Sequence, residues 1–260
     1  QMIGAGNFRP AVSEVSFGYV KDGGETLGDL KMSLSNKREL FINGKIDRID
    51  IAETGAEKAA VVFDYKRSGK PFSWANLYNG LDIQLPIYLL AVKRASKRRY
   101  AKVVGGFYIP VEAGPKTVNL GEVEKRAGKF TRKAIGIFDG QFATQLDGSE
   151  SSGENPFYNF YVLKDGGPYG SYGTRGALKP EDFEKVMLFA ERKIAALAES
   201  IISGRIEVRP YRLARKTPCE YCDYKSLCRF DPYINDYNSI EQVSKTQLLE
   251  RMEGTSEQEK

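Results

Sequence analysis

Two acidic residues and a lysine stand at spacings that suit phosphodiester chemistry. Asp47 lies in Gly44-Lys45-Ile46-Asp47-Arg48-Ile49-Asp50, and Asp64 and Lys66 lie in Val61-Val62-Phe63-Asp64-Tyr65-Lys66. Hydrolysis of a phosphodiester needs an activated water, an in-line approach, and relief of charge on the phosphate oxygens and the leaving group. A divalent cation supplies much of each by acidifying its water and clamping the phosphate. Asp47 and Asp64 offer the hard oxygen ligands that suit Mg2+ or Mn2+. Lys66 beside them would orient the water and stabilise developing negative charge. Gln84 and Tyr88, four residues apart, share one face of a helix and can hold the water, Lys66 or a phosphate oxygen by hydrogen bonds. The chain has no histidine, so no step can rest on an imidazole base or ligand.

These groups meet only if the intervening elements bring them together. Residues 40–51 and 59–67 are rich in Ile, Val and Phe and flank Glu53-Thr54-Gly55-Ala56-Glu57, which predicts an antiparallel hairpin. With the turn centred between Gly55 and Ala56, Asp47 falls opposite Asp64. Opposed residues have Cβ atoms about 5 Å apart, and like charges there repel unless a cation lies between them. Asp64 and Lys66 point to the same face, whereas Arg48 and Asp50 point to the other, for a cross-strand ion pair or a surface role. Trp74 to Tyr78 leads into a helix expected from about Leu81 to Lys97, with Leu85, Leu89 and Val92 at core spacing and Pro86 tolerated only within its first turn.

Elsewhere, Val15 to Val20 and Lys31 to Ser35 alternate like strands around an Asp22-Gly23-Gly24 turn, and Glu14 heads the first as either a metal ligand or a solvated carboxylate. Val103 to Pro110 reads as a strand buried on both sides, adjacent to the hairpin in a mixed sheet. Lys125, Arg126, Lys129, Arg132 and Lys133 form a basic cluster that suits either a DNA channel or a solvated face. The aromatic residues between Gly153 and Gly176 suit either stacking on bases or a plain hairpin. Pro180 to Ser203 carries the start and stop signals of a helix, with Phe183, Val186, Met187, Ala190, Ile194, Leu197 and Ile201 as its stripe. Ser244 and Gln247 form a capping box for a short closing helix, and residues 254–260 read as a disordered tail.

Composition is that of a globular protein: 41% hydrophobic, 28% charged, and a net charge of +5 that is compatible with a nucleic-acid partner without requiring one. No run approaches the ~18 consecutive apolar residues of a membrane span, and no signal pattern opens the chain, so no membrane association and a cytoplasmic location are expected. The start at Gln1 points to a piece of a longer chain. Cys219, Cys222 and Cys228 are the only cysteines, and in a reducing compartment their clustering favours a metal site over disulfides.

The segments around Asp47 and Asp64, followed by Gln84-x-x-x-Tyr88, together resemble the RecB-like branch of the PD-(D/E)XK nuclease superfamily. The segment from Pro210 to Asp231, with its three cysteines, resembles the cysteine segment of the AddB family. The likeness runs from Phe8 to the final helix. It implies an α/β, restriction-endonuclease-like core with a central mixed sheet flanked by helices. It also implies that Asp47, Asp64 and the backbone carbonyl of Tyr65 bind Mg2+ and that Lys66 is catalytic, with Gln84 and Tyr88 in the same site. The corresponding activity is Mg2+-dependent exonuclease cleavage of a single-stranded DNA end, in a helicase-nuclease that processes double-strand breaks with an AddA-like helicase partner. In that family a fourth, upstream cysteine completes a [4Fe-4S] cluster. Only Cys219, Cys222 and Cys228 are present here, so either that ligand lies outside these residues or no cluster forms, and a zinc site would want a fourth ligand too. The expected organisation is a linker over residues 1–12, a nuclease domain over 13–238 with its cysteine segment at 210–231, and a helix and tail over 239–260. A different RecB-like exonuclease and a DNA-binding structural module inactive in isolation are the alternatives.

Overall fold

The computed structural model describes residues 2–18, 26–55, 57–67, 72–96, 102–111, 133–149 and 151–257. The chain opens with a short helix, α1 (Met2–Ala5), and an edge strand, β1 (Arg9–Phe17). Strands β2 (Leu30–Ser33) and β3 (Glu39–Ile42) pair as a small separate sheet. The hairpin follows as β4 (Gly44–Thr54) and β5 (Glu57–Lys66). Helices α2 (Trp74–Asn79) and α3 (Gln84–Ser96) then lead to β6 (Lys102–Pro110) and β7 (Ile135–Asp139). Next come α4 (Ala143–Leu146), the short hairpin β8 (Gly153–Glu154) and β9 (Tyr161–Val162), and β10 (Ala177–Leu178). The long helix α5 (Pro180–Ile202) precedes β11 (Tyr211–Leu213), α6 (Lys225–Cys228), β12 (Asn238–Ile240) and the closing helix α7 (Lys245–Glu257).

The central sheet has six strands in the order β1-β4-β5-β6-β7-β10. It is mixed: β5 runs parallel to β6 and β7 to β10, while β1/β4, β4/β5 and β6/β7 are antiparallel. Such a sheet flanked by helices is the α/β core expected from the sequence. Strand alternation divides the apolar residues between two faces. Ile49, Ala60 and Val62 meet α3, α5 and α7 on one face, whereas Val61, Phe63, Phe107, Phe138 and Phe160 pack together on the other. Burial on both faces explains why β5 reads as a nearly continuous apolar run. On the helical face Gly106 lets α3 lie close, because a Cβ there would come within 2.9 Å of Leu85 and 3.0 Å of Leu89. That approach brings the start of α3 over the ends of β4 and β5.

Several boundaries differ from the sequence reading. Where a linker was expected, Phe8 is buried and β1 begins at Arg9, pairing with β4 from Ile51 onward. Leu40 to Ile42 belong to β3 and pair with β2, leaving β4 to begin at Gly44. Trp74 to Asn79 form their own helix, because Gly80 takes a left-handed backbone (φ 75°) and its N–H caps α2, and α3 starts afresh at Gln84 with Pro86 in its first turn. In α5, Ile201 is 76% exposed and lies off the buried stripe, since the helix end projects past the core. Tyr158 and Phe160 between β8 and β9 are buried in the second core, so they present no faces for base stacking. The capping box of α7 forms, with Ser244 N–H donating to Gln247 Oε1 (3.0 Å) and Gln247 N–H to Ser244 Oγ (3.3 Å). This helix continues through Gly254 to Glu257, where a disordered tail was expected. The Asp22 turn and Lys125, Arg126, Lys129 and Arg132 lie outside the described residues, while Lys133 pairs with Glu154.

Helix α7 is anchored by a fully buried lysine. Lys245 Nζ donates to the carbonyls of Ala177 (2.7 Å) and Arg175 (3.1 Å) and lies 3.6 Å from the centroid of the Tyr172 ring. Burial pushes its ammonium down to about 7, with Asp182 pulling the other way. An unfolded lysine titrates near 10.4, so between these values the unfolded chain holds the extra proton and rising pH favours the fold. The expected outcome in urea unfolding is a native-state stability that gains at most about 1.4 kcal/mol per pH unit between about pH 7 and 10 relative to Lys245→Met; superimposable pH profiles would refute it.

Candidate metal and phosphodiester site

The hairpin register places the central pair. Arg48 pairs with Phe63 and Thr54 with Glu57, so the next step of the same ladder sets Asp47 against Asp64. Asp47 Oδ2 accepts the backbone N–H of Tyr65 at 2.8 Å. The Asp64 side chain is buried, with one oxygen accepting Gln84 Nε2 (3.2 Å) and the other in ionic contact with Lys66 but without an aligned hydrogen bond. Burial pushes the Asp64 carboxyl above the usual range; Lys66 pulls it back down, and Asp47 and Asp82 add to the rise. Two mutually repelling carboxylates, one of them desolvated and incompletely bonded, fit a small hard cation. Asp47 and Asp64 are the carboxylates that could offer it oxygen ligands.

Helix α3 supplies the rest. Gln84 accepts the Lys66 ammonium on Oε1 (2.6 Å) and donates from Nε2 to Asp64 Oδ1 and to the Tyr88 hydroxyl (2.8 Å). All three polar positions of this amide are thereby used, which fixes its orientation. Burial pushes the Tyr88 phenol up, with Asp64 and Asp47 adding to the rise and Gln84 opposing it, so it stays protonated at neutral pH. Its ring packs edge-on against Phe17 of β1 at 5.9 Å. The five side chains singled out in the sequence therefore converge from three elements.

Sequence reasoning missed two supports. Tyr108 pairs with Asp64 in the β5/β6 ladder, lies 5.2 Å beneath the Lys66 ammonium, and donates its hydroxyl to Asp82 at 2.8 Å. The strand at 103–110 was legible, so the signal was its parallel register to β5. The other support is Arg48, expected on the far face in a cross-strand pair or at the surface. It instead grips Asp50 of its own strand, with Asp50 2% exposed, stacks over Phe63 at 4.8 Å, and donates to the Tyr65 hydroxyl at 3.0 Å. Asp50 holds the Arg48 guanidinium well above its usual range, against the pull of burial.

Of the remaining expectations, Glu14 falls across from the Asp47 position in the β1/β4 ladder, between the pairs Ser13/Arg48 and Val15/Ile46. Glu14 takes a left-handed backbone (φ 55°) and pairs with Lys45 at 2.5 Å on the exposed edge. Cys219 lies in the 3-10 turn Pro218–Tyr221, Cys222 directly follows it, and Cys228 ends α6; all are free thiols. Among the described residues no three His, Cys, Asp or Glu side chains gather as a metal-binding group. As placed, the three thiols do not fit a closed cluster.

The profile of the PD-(D/E)XK nuclease superfamily matches residues 3–229. A Clostridioides difficile protein, named as a subunit of an ATP-dependent helicase/deoxyribonuclease, is 30% identical over 98% of this chain and 22% of its own length. Proteins of the same name from a Thermoanaerobacter species and from Listeria welshimeri are 30% and 29% identical over 93% and 95% of this chain, and 21% and 22% of theirs. The chain thus spans about a fifth of the length of the curated relatives it matches. No helix among the described residues is long and apolar enough to cross a membrane.

A carboxyl whose folded pKa is raised stabilises the fold only when protonated and is a net liability at neutral pH. Asp64→Asn is therefore expected to raise the thermal midpoint in EDTA by a few degrees, while added Mg2+ raises the midpoint of the parent chain alone. A lower midpoint for the variant, or an equal Mg2+ response, would contradict the cation-site reading.

Proposed function

The chain belongs to the PD-(D/E)XK nuclease superfamily, and from that premise we propose that it is the metal-dependent deoxyribonuclease domain of a helicase-nuclease that processes DNA ends. The observation that carries the proposal is the Gln84 amide, which joins Asp64, Lys66 and Tyr88 at one point beside Asp47. The names and lengths of the relatives support a larger assembly in which a helicase partner delivers the single strand that is cut. Work of this kind would be cytoplasmic and exonucleolytic, acting on a strand end.

Asp47, Asp64 and the Tyr65 carbonyl would hold Mg2+ or Mn2+. When bound, the ion supplies an acidified water and neutralises charge on the phosphate. The protein's own groups do the positioning. Lys66 sits between Asp64 and Gln84 with its ammonium held, able to orient the attacking water and then face the negative charge that grows on the phosphate oxygens. Gln84 keeps that ammonium in place, and the Asp64 carboxylate, an acceptor only, holds the amide with its nitrogen toward Asp64 and Tyr88 and its oxygen toward Lys66. The water oxygen forms a new bond to phosphorus, the bond to the leaving ester oxygen breaks, and the water's protons pass to solvent and to that oxygen. Cys219, Cys222 and Cys228 take no part in these steps. They would hold a [4Fe-4S] cluster only after gathering around a fourth ligand that these 260 residues do not supply as cysteine.

Incubation of the chain with a single-stranded oligodeoxynucleotide and Mg2+ is expected to give cleavage that EDTA abolishes. Asp64→Ala and Lys66→Ala should each lower the rate at least about 10²-fold to 10³-fold. Undiminished cleavage in these variants would reject the site. Binding without cleavage that weakens steeply with salt would reject the enzyme and favour a binding module.

A further inference from the structure

Beside the start of α3 lies a second cleft, of about 770 Å3, between the corner joining α2 to α3 and the turn after β11. Asn76 and Leu81 line the first side, and Tyr211, Leu213, Arg215 and Lys216 the second. The turn is tight: Leu213 and Lys216 exchange both backbone hydrogen bonds at 2.9 Å. Ala214 holds a left-handed backbone (φ 54°) at a turn position where glycine is usual. Arg215 and Lys216 are exposed, and among the described residues neither has an acidic partner. Two unneutralised cations therefore stand above a floor of one aromatic and two aliphatic side chains.

Leu81 of the cleft precedes Gln84 by three residues, which keeps their Cα atoms within about 11 Å. Leu81 is followed by Asp82, which accepts the Tyr108 hydroxyl, and Lys66 lies over the Tyr108 ring; Gln84 comes two residues later. A ligand seated along Leu81 therefore lies near the end of α3 that carries Gln84. A nucleic-acid strand has the matching chemistry, with phosphates for the cations and flat apolar faces for the floor. Only an unpaired strand offers those base faces, because a duplex keeps them stacked inside.

We propose that this cleft seats the single DNA strand on its way to the Asp47/Asp64 site, with phosphates against Arg215 and Lys216 and bases against Tyr211, Leu81 and Leu213. The inference rests on the nuclease reading for its choice of ligand, but its test does not depend on cleavage. Fluorescence anisotropy with a 20-nucleotide oligothymidylate in EDTA compares the parent chain, Arg215→Ala/Lys216→Ala, and a charge-matched control, Lys58→Ala/Lys164→Ala. The expected result is an affinity about tenfold lower or more in the cleft variant at low salt, and a slope of log K against log salt shallower by about 1.4, for two phosphate contacts on a single strand. The control should stay within about twofold of the parent. No binding by the parent chain, an unchanged affinity in the cleft variant, or an equal loss in the control would each overturn the proposal. Binding that depends on Arg215 and Lys216 in a chain that fails to cleave with Mg2+ would remove the nuclease reading and leave the cleft standing.

Discussion

Like charges opposed across neighbouring strands repel, and one step beyond the Arg48/Phe63 pair the β4/β5 register sets Asp47 across from Asp64, whose carboxyl it raises. A hairpin with this pair at its open end persists because other groups offset the repulsion. Lys66 neutralises part of it, the Tyr65 N–H turns Asp47 aside, and Gln84 donates to Asp64. Burial adds to the cost and is the main cause that raises the Asp64 carboxyl, with Asp47 a smaller one. A divalent cation would complete the compensation, and the field that makes the empty pair costly would favour such an ion.

The reverse face of the sheet keeps this arrangement stiff. Arg48 and Asp50 form an ion pair shielded from water, stacked on Phe63, and breaking such a pair by removing one partner typically costs about 3–5 kcal/mol. Its link to the Tyr65 hydroxyl runs to the residue whose N–H meets Asp47. A buried network on one side of β5 thus fixes the backbone that serves the other. Gly106 plays the corresponding part for α3, since its missing side chain sets how near Gln84 and Tyr88 come to the strands.

Much of the site was legible because its determinants are local. One tight turn at Gly55 sets the opposition of Asp47 and Asp64, and helical spacing puts Gln84 over Tyr88. Pro86 could be placed within the first turn from its own sterics. What escaped depends on neighbours distant in sequence. The first residues of β1 are mostly exposed, so Arg9 to Ser13 show little alternation and look like a linker until β4 pairs with them. Arg48 reads as a surface charge until Phe63 and Tyr65 cover it. Lys245 reads as a solvated helix residue until the carbonyls of Arg175 and Ala177 receive it. The cysteine spacing suggested a metal site, but spacing does not gather thiols, and Cys219, Cys222 and Cys228 stay apart.

The Asp47/Asp64 pair and a superfamily profile covering most of the chain support the proposed nuclease reading, for a chain that matches about a fifth of its relatives' length. Its central claim is a matter of where one ion sits. Anomalous diffraction from crystals of the chain grown with Mn2+ tests that directly. The account requires a peak within about 2.0–2.4 Å of oxygens from Asp47, Asp64 and the Tyr65 carbonyl, with the Lys66 ammonium still held by Gln84. Ordered Mn2+ elsewhere, with Lys66 still closed on Asp64 and no peak between the two carboxylates, would contradict it.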